Sequence, residues 1–212
     1  SAEGVADINT LSSNDAADTN ILLEISGLDA EGSELTWYAE LNGQNKVSVY
    51  ANTELTGDSL SFWRIQRMEN VSGEIEGTNA KSISGNPCIY VDTAISGGVP
   101  TDVTKIRAKI VNWNNQTEMA IYTIPKGKRG FLIKGDVWIT REQTSGAAVV
   151  FQYQSRRLGG VFKVKKSIWV QTAGSSYFMD NRTIPDIIPE LTDIKVTAQE
   201  VSSDDTSVFA SF

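Results

Sequence analysis

Apolar and polar residues alternate along most of this chain, and no window of eleven or more residues sustains helical spacing. A period of two puts every second side chain on one face of a strand, so the chain reads as sheets. Residues 21–25 and 35–41 are β-rich runs. Ser26-Gly27 ends the first, and Asn42-Gly43 follows the second as a tight-turn signal. The run 60–68 is apolar on both faces, with Leu60, Phe62 and Met68 on one and Trp63 and Ile65 on the other. That suits a strand inside a sandwich or at a subunit contact. In 105–111, Ile106, Ala108 and Ile110 face one way while Lys105, Arg107 and Lys109 face the other. Further runs at 88–91, 117–124, 131–140, 147–153, 161–170, 194–198 and 207–212 bring the total to about a dozen. Residues 186–191 carry Pro189 and are too short for a helix, so they read as a connection. The pattern predicts an all-β, jelly-roll-like antiparallel β-sandwich.

With 212 residues there is room for one large β domain or two small ones. We read 1–212 as a single β-sandwich region of a longer chain. The Gly-, Ser- and Asn-rich stretch 72–100 is the place for any subdivision. The start, Ser1-Ala-Glu-Gly-Val5, has neither a basic nor an apolar leader region, and no apolar run reaches membrane-spanning length. The final Val208-Phe-Ala-Ser-Phe212 reads as a strand cut in mid-pattern, so further residues are expected beyond the ends.

The chain has no histidine, which removes His-based triads, general bases and metal ligands. Cys88, the only cysteine, can form neither an intrachain disulfide nor a zinc cluster, and reads as a small core residue. Two carboxylate pairs, Asp15/Asp18 and Asp204-Asp205, are the nearest approach to acid–base or calcium chemistry. Asp204-Asp205 has hairpin-loop neighbours, and neither pair stands in a calcium-loop pattern. Gly127-Lys-Arg-Gly130 lacks the spacing of a phosphate-binding loop and reads as a turn. No catalytic residue, metal site or cofactor is expected.

Charge is unevenly placed. Residues 1–100 hold four basic and fifteen acidic side chains, whereas 105–166 hold thirteen basic and three acidic ones. This fits subunit contacts, an acidic partner, or simply solvated strand faces. Arg156-Arg157 and Lys165-Lys166, near Phe151, Tyr153, Phe162 and Trp169, raise nucleic-acid binding. A net charge of −7 lacks the basic footprint of such a binder, and these aromatics read as core. The interface candidates are the aromatic anchors Trp63, Trp113 and Trp138 and the cations Lys126, Lys128, Arg129, Arg156, Arg157, Lys165 and Lys166. Trp113, in Asn112-Trp-Asn-Asn115, is the tryptophan expected on a loop, first as an aromatic that caps the loop and otherwise against a sugar or a neighbouring subunit.

Gln116, Thr117, Met119, Ala120, Tyr122, Thr123, Pro125, Gly127, Lys128, Gly130 and Leu132 meet the pattern Q-T-x-M-A-x-Y-T-x-P-x-G-K-x-G-x-L. This segment resembles a signature of a family of virion structural proteins of tailed, often marine, phages. Residues 14–19, 25–35, 41–43, 159–163 and 184–194 resemble further stretches of that family, so the likeness covers nearly the whole chain. Lys126 departs from it, since the family commonly has a small residue there. The resemblance implies a place in the virion and no catalysis. We expect a head-associated decoration or cement protein, with a tail or fibre component, receptor- or glycan-binding, as the alternative. The expected partners are copies of itself, a trimer being favoured, and other virion proteins such as the major capsid protein. Neither a membrane nor nucleic acid is expected.

Overall fold

A computed structural model describes residues 5–54, 60–141 and 146–212. Ser1 to Gly4, four of the five residues of the leader reading, lie outside them. The chain forms two compact units, Ser1–Met119 and Ala120–Phe212. The division thus falls inside the signature segment, and 72–100 lies wholly within unit 1. All strand pairing is antiparallel, and the described residues contain no α-helix.

Unit 1 contains β1 (Ile8–Ser12), β2 (Thr19–Leu28), β3 (Glu34–Asn42), β4 (Val47–Ser48), β5 (Arg64–Asn70), β6 (Cys88–Val91), β7 (Ile95–Ser96), β8 (Val99–Pro100) and β9 (Ile106–Lys109). Its sheets run β4-β1-β6-β9 and β3-β2-β5, with β7-β8 as a separate ribbon. Leu11, Ile89 and Ala108 from the first sheet pack with Leu23, Ile25, Ala39 and Met68 from the second in one core. The two-faced run 60–68 is explained by β5. Its register against β2 shifts between Ser26 and Gly27, and Ile65, Gln66 and Met68 are all buried. Gly27 makes this possible: a Cβ there would lie 2.1 Å from the Arg64 carbonyl oxygen. The start of the expected strand 105–111 is instead part of a 3-10 turn, Val103–Lys105, capped by the Asp102 carboxylate.

Unit 2 contains β10 (Ile121–Thr123), β11 (Gly130–Arg141), β12 (Ala147–Arg157), β13 (Lys163–Thr172), β14 (Ser175–Ile188), β15 (Thr192–Val201) and β16 (Thr206–Ser211). The sheets are β10-β15-β12-β13 and β14-β11-β16. Val137 and Ile139 of β11 pack with Val149, Phe151 and Val170 of the other sheet. Leu132 and Ile188 pack with Tyr153 and Ile194. Each unit is thus built sandwich-fashion, two sheets across an apolar layer. The turn expected at 126–130 joins β10 to β11, from one sheet to the other. Lys128 N donates to the Pro125 carbonyl at 3.1 Å, and Gly127 sits at φ 74°. Lys126, Gly127, Lys128 and Arg129 are exposed, as the sequence predicts. The expected strand 117–124 is shorter in the structure: only 121–123 belong to β10, and Thr117 bridges to Ile110 in unit 1.

Candidate interaction face

Opposed residues in neighbouring strands share a face of the sheet. In β14-β11-β16, Trp138 stands opposite both Tyr177 and Phe209. These three rings form a row across the outer face, since Val137 and Ile139 on either side of Trp138 point into the core. Trp138 and Phe209 stack with centroids 5.1 Å apart and planes 9° from parallel. Tyr177 is 54% exposed and Phe209 40%. The adjoining row holds Met179 opposite Asp136.

Towards the start of β11, Phe131 stands opposite Ile187, and both are more than 60% exposed, as is Ile133. Against β14 the register shifts between Leu132 and Lys134. Leu132 before the shift and Val137 beyond it are both buried, so the inward parity changes along β11. This leaves Phe131 and Ile133 outside without moving Val137 and Ile139 out of the core. Phe131, Ile133 and Ile187 thus add exposed apolar side chains to the sheet that carries the aromatic row, and exposed apolar surface of this kind marks interaction sites.

The polar groups of this face are tied down. Lys134 Nζ lies 2.7 Å from the Asp136 carboxylate, and Tyr177 Oη donates to Asp136 at 2.9 Å. The hydrogen bond from Lys134 holds the Asp136 carboxyl below the usual carboxylate range, helped by that from Tyr177. The same pairing pushes the Tyr177 hydroxyl up.

The basic candidates divide into two groups. Arg156 bonds to the buried Asp193 carboxylate, which also accepts from Thr123 Oγ1 at 2.7 Å, and its guanidinium lies over the Phe162 ring. Lys166 pairs with Asp180 at 2.8 Å. Both are thus engaged by carboxylates inside unit 2. Arg157 and Lys165 make no ion pair among the described residues. Both line a cleft of about 540 Å³ together with Lys163. Lys126, Lys128 and Arg129 cluster on the exposed turn, where Gly127 N donates to the Glu190 carboxylate.

Of the tryptophans, Trp63, in the bend just before β5, is 2% exposed and packed inside unit 1, so its ring is not presented to a partner. Trp113 is 75% exposed with φ 68°, on the loop where the sequence places it. Trp138 is half-buried within the aromatic row. Phe151 and Tyr153 are core, as expected, but Trp169 is 71% exposed. Sequence reasoning missed Phe131, Ile133, Tyr177, Ile187 and Phe209, because nothing in a short apolar run says which parity faces the partner sheet.

Neither carboxylate pair forms a site. Asp18 is fully buried and accepts from Ser13 Oγ, Ser84 N and Gly85 N, while Asp15 accepts from Ala17 N. Asp204 and Asp205 lie exposed in the turn before β16. Among the described residues no three acidic or cysteine side chains are grouped to hold a metal. Cys88 is buried, and that burial pushes its thiol pKa up. No protein-family model matches this chain, and no similar curated protein or solved structure was found.

Proposed function

We propose that this chain is a non-catalytic structural protein of a tailed-phage virion, one that assembles with copies of itself and docks on other virion proteins. The virion reading rests on the signature residues from Gln116 to Leu132. The assembly reading is carried by the exposed apolar face of β14-β11-β16, with Phe131, Ile133 and Ile187 beside the Tyr177–Trp138–Phe209 row. Such a face is hydrophobic surface awaiting a partner. A head-associated decoration role, with a jelly-roll-like sandwich and a trimer favoured, is the form of this reading we adopt. Paired antiparallel sheets and free surface cations support it. A tail or fibre position is the alternative, and the exposed ring of Trp113 is the feature a glycan-binding version would use.

The test is sedimentation of the purified chain, and its binding to particles stripped of peripheral proteins, beside the double variant Phe131→Glu/Ile133→Glu. Both positions are exposed, so the variant keeps its fold while losing assembly and binding. A variant that assembles like the parent overturns the role of this face. Turnover of host polysaccharide that is abolished by Asp204→Ala or Asp205→Ala overturns the non-catalytic reading.

A further inference from the structure

Six cations lie between Arg156 and Arg182 in unit 2. Three are neutralised within it: Arg156 by Asp193, Lys166 by Asp180, and Arg182 by Asp180 and Asp186. Arg157, Lys163 and Lys165 make no ion pair among the described residues, and all three line the same cleft of about 540 Å³. Its remaining wall is mixed, with Val161, Ile187 and Pro189 exposed along it beside Tyr153, Ser155 and Thr192. One carboxylate, Asp186, reaches the cleft and is already held by Arg182. Gathered like charges without a counter-ion repel one another, and a partner's carboxylates relieve that repulsion.

The chain itself supplies the complement. Residues 1–119 carry seventeen acidic and seven basic side chains, whereas 120–212 carry nine and twelve. In unit 1 the turn at 72–78 exposes Glu74 and Glu76 on either side of Ile75. Gly73 N donating to Thr78 Oγ1 at 2.7 Å and Thr78 N to the Ile75 carbonyl at 3.1 Å hold its shape. Neither glutamate has an ion pair among the described residues. Two carboxylates flanking an apolar side chain match a cleft whose three cations stand beside the exposed Val161, Ile187 and Pro189.

We propose that the Arg157–Lys163–Lys165 cleft is a socket for an acidic segment of unit 1 of a second copy of this chain, an inference that rests on the assembly reading above. Socket and plug lie on different units, so the contact is heterologous. Each copy gives one and receives one, and the chain of contacts closes into a ring wherever the rotation allows.

The test is carbodiimide coupling of carboxylates to amines in an assembled mixture of isotopically light and heavy full-length chain. Mixed-label links are expected from Lys163 or Lys165 to acidic residues of 1–119. The variant Lys163→Glu/Lys165→Glu is expected to associate about tenfold more weakly. Links confined to one label, or running only to acidic residues of unit 2, overturn the proposal. So does an assembly indifferent to the charge reversal, which leaves the apolar face standing as the contact. A chain that stays monomeric at every concentration overturns the assembly reading itself.

Discussion

Asp18 shows how much a single buried carboxylate decides. It is fully buried, and three donors converge on it: Ser13 Oγ at 2.5 Å, Ser84 N at 2.8 Å and Gly85 N at 3.0 Å. Replacing it with Ala strands those donors. Asp18→Ala should therefore destabilise the chain by about 3 kcal/mol in urea titration, as expected for lost hydrogen bonds to a buried charged group. The sequence marks Asp18 as half of a carboxylate pair with Asp15 but not as an anchor, because Ser84 and Gly85 join it only through the fold. Asp180 offers a pH readout. The hydrogen bond from Lys166 holds its carboxyl below the usual range, and the charges of Lys166 and Arg182 act in the same direction. Its folded pKa thus lies below its unfolded one, near about 3.9. The stabilisation is fully present above that unfolded value and is lost as pH falls through the folded one. Thermal melts of the parent and Asp180→Asn should differ by a constant amount from about pH 5 to 7, and the gap should close towards about pH 3. A gap that persists in acid would mean that the ion pairs contribute nothing.

At the scale of elements, turns and regular strands are the legible part. Pro125, Gly127 and Gly130 place the exposed turn that leads into β11, and the alternation of β11 is plain in 131–140. The long β14 is not legible. Most of Ser175–Ile188 is exposed, its inward Asp180 is polar, and Pro185 interrupts it. That proline is accommodated where the ladder with β11 is broken, between the pairs Leu132↔Asp186 and Lys134↔Asn181. Two glycines separate the kinds of constraint. Gly127 has open space around its absent Cβ and only a positive φ to defend, so Gly127→Ala should lose about 1 kcal/mol. At Gly27 the added Cβ would meet the Arg64 carbonyl oxygen at 2.1 Å and the Phe62 ring at 2.8 Å. Relief requires β2 and β5 to part, so Gly27→Ala should lose about 3 kcal/mol or more. Equal losses in parallel denaturation curves would show that the β2–β5 approach is not a constraint.

At the scale of the whole molecule, the sequence reveals the sign of each half but not which charges are spent. Arg156 and Arg157 are neighbours in sequence, yet Arg156 is bound to Asp193 while Arg157 faces the cleft. Lys165 and Lys166 divide as well: Lys166 stands opposite Tyr153 and pairs with Asp180, whereas Lys165 is the residue skipped where the register of β12 and β13 shifts, and it lines the cleft. Nor does composition mark the division at Met119/Ala120, which falls within a run of strand-like residues. If the chain assembles as proposed, this partition of charge and apolar surface should make association sensitive to the kind of salt as well as its amount. Sodium chloride at about 1 M shortens screening to about 3 Å and should weaken the contribution of Arg157, Lys163 and Lys165. It leaves the burial of Phe131, Ile187 and the Tyr177–Trp138–Phe209 row in force, so association should fall to a plateau rather than vanish. Sulfate strengthens apolar burial while it screens, so at equal ionic strength it should keep association above the chloride level. In Phe131→Glu/Ile133→Glu the plateau should disappear in both salts. In Lys163→Glu/Lys165→Glu the chloride dependence should flatten while the plateau stays. Sedimentation velocity across the two salts separates the contributions. If both variants follow the parent curve, neither the sheet face nor the cleft carries the assembly.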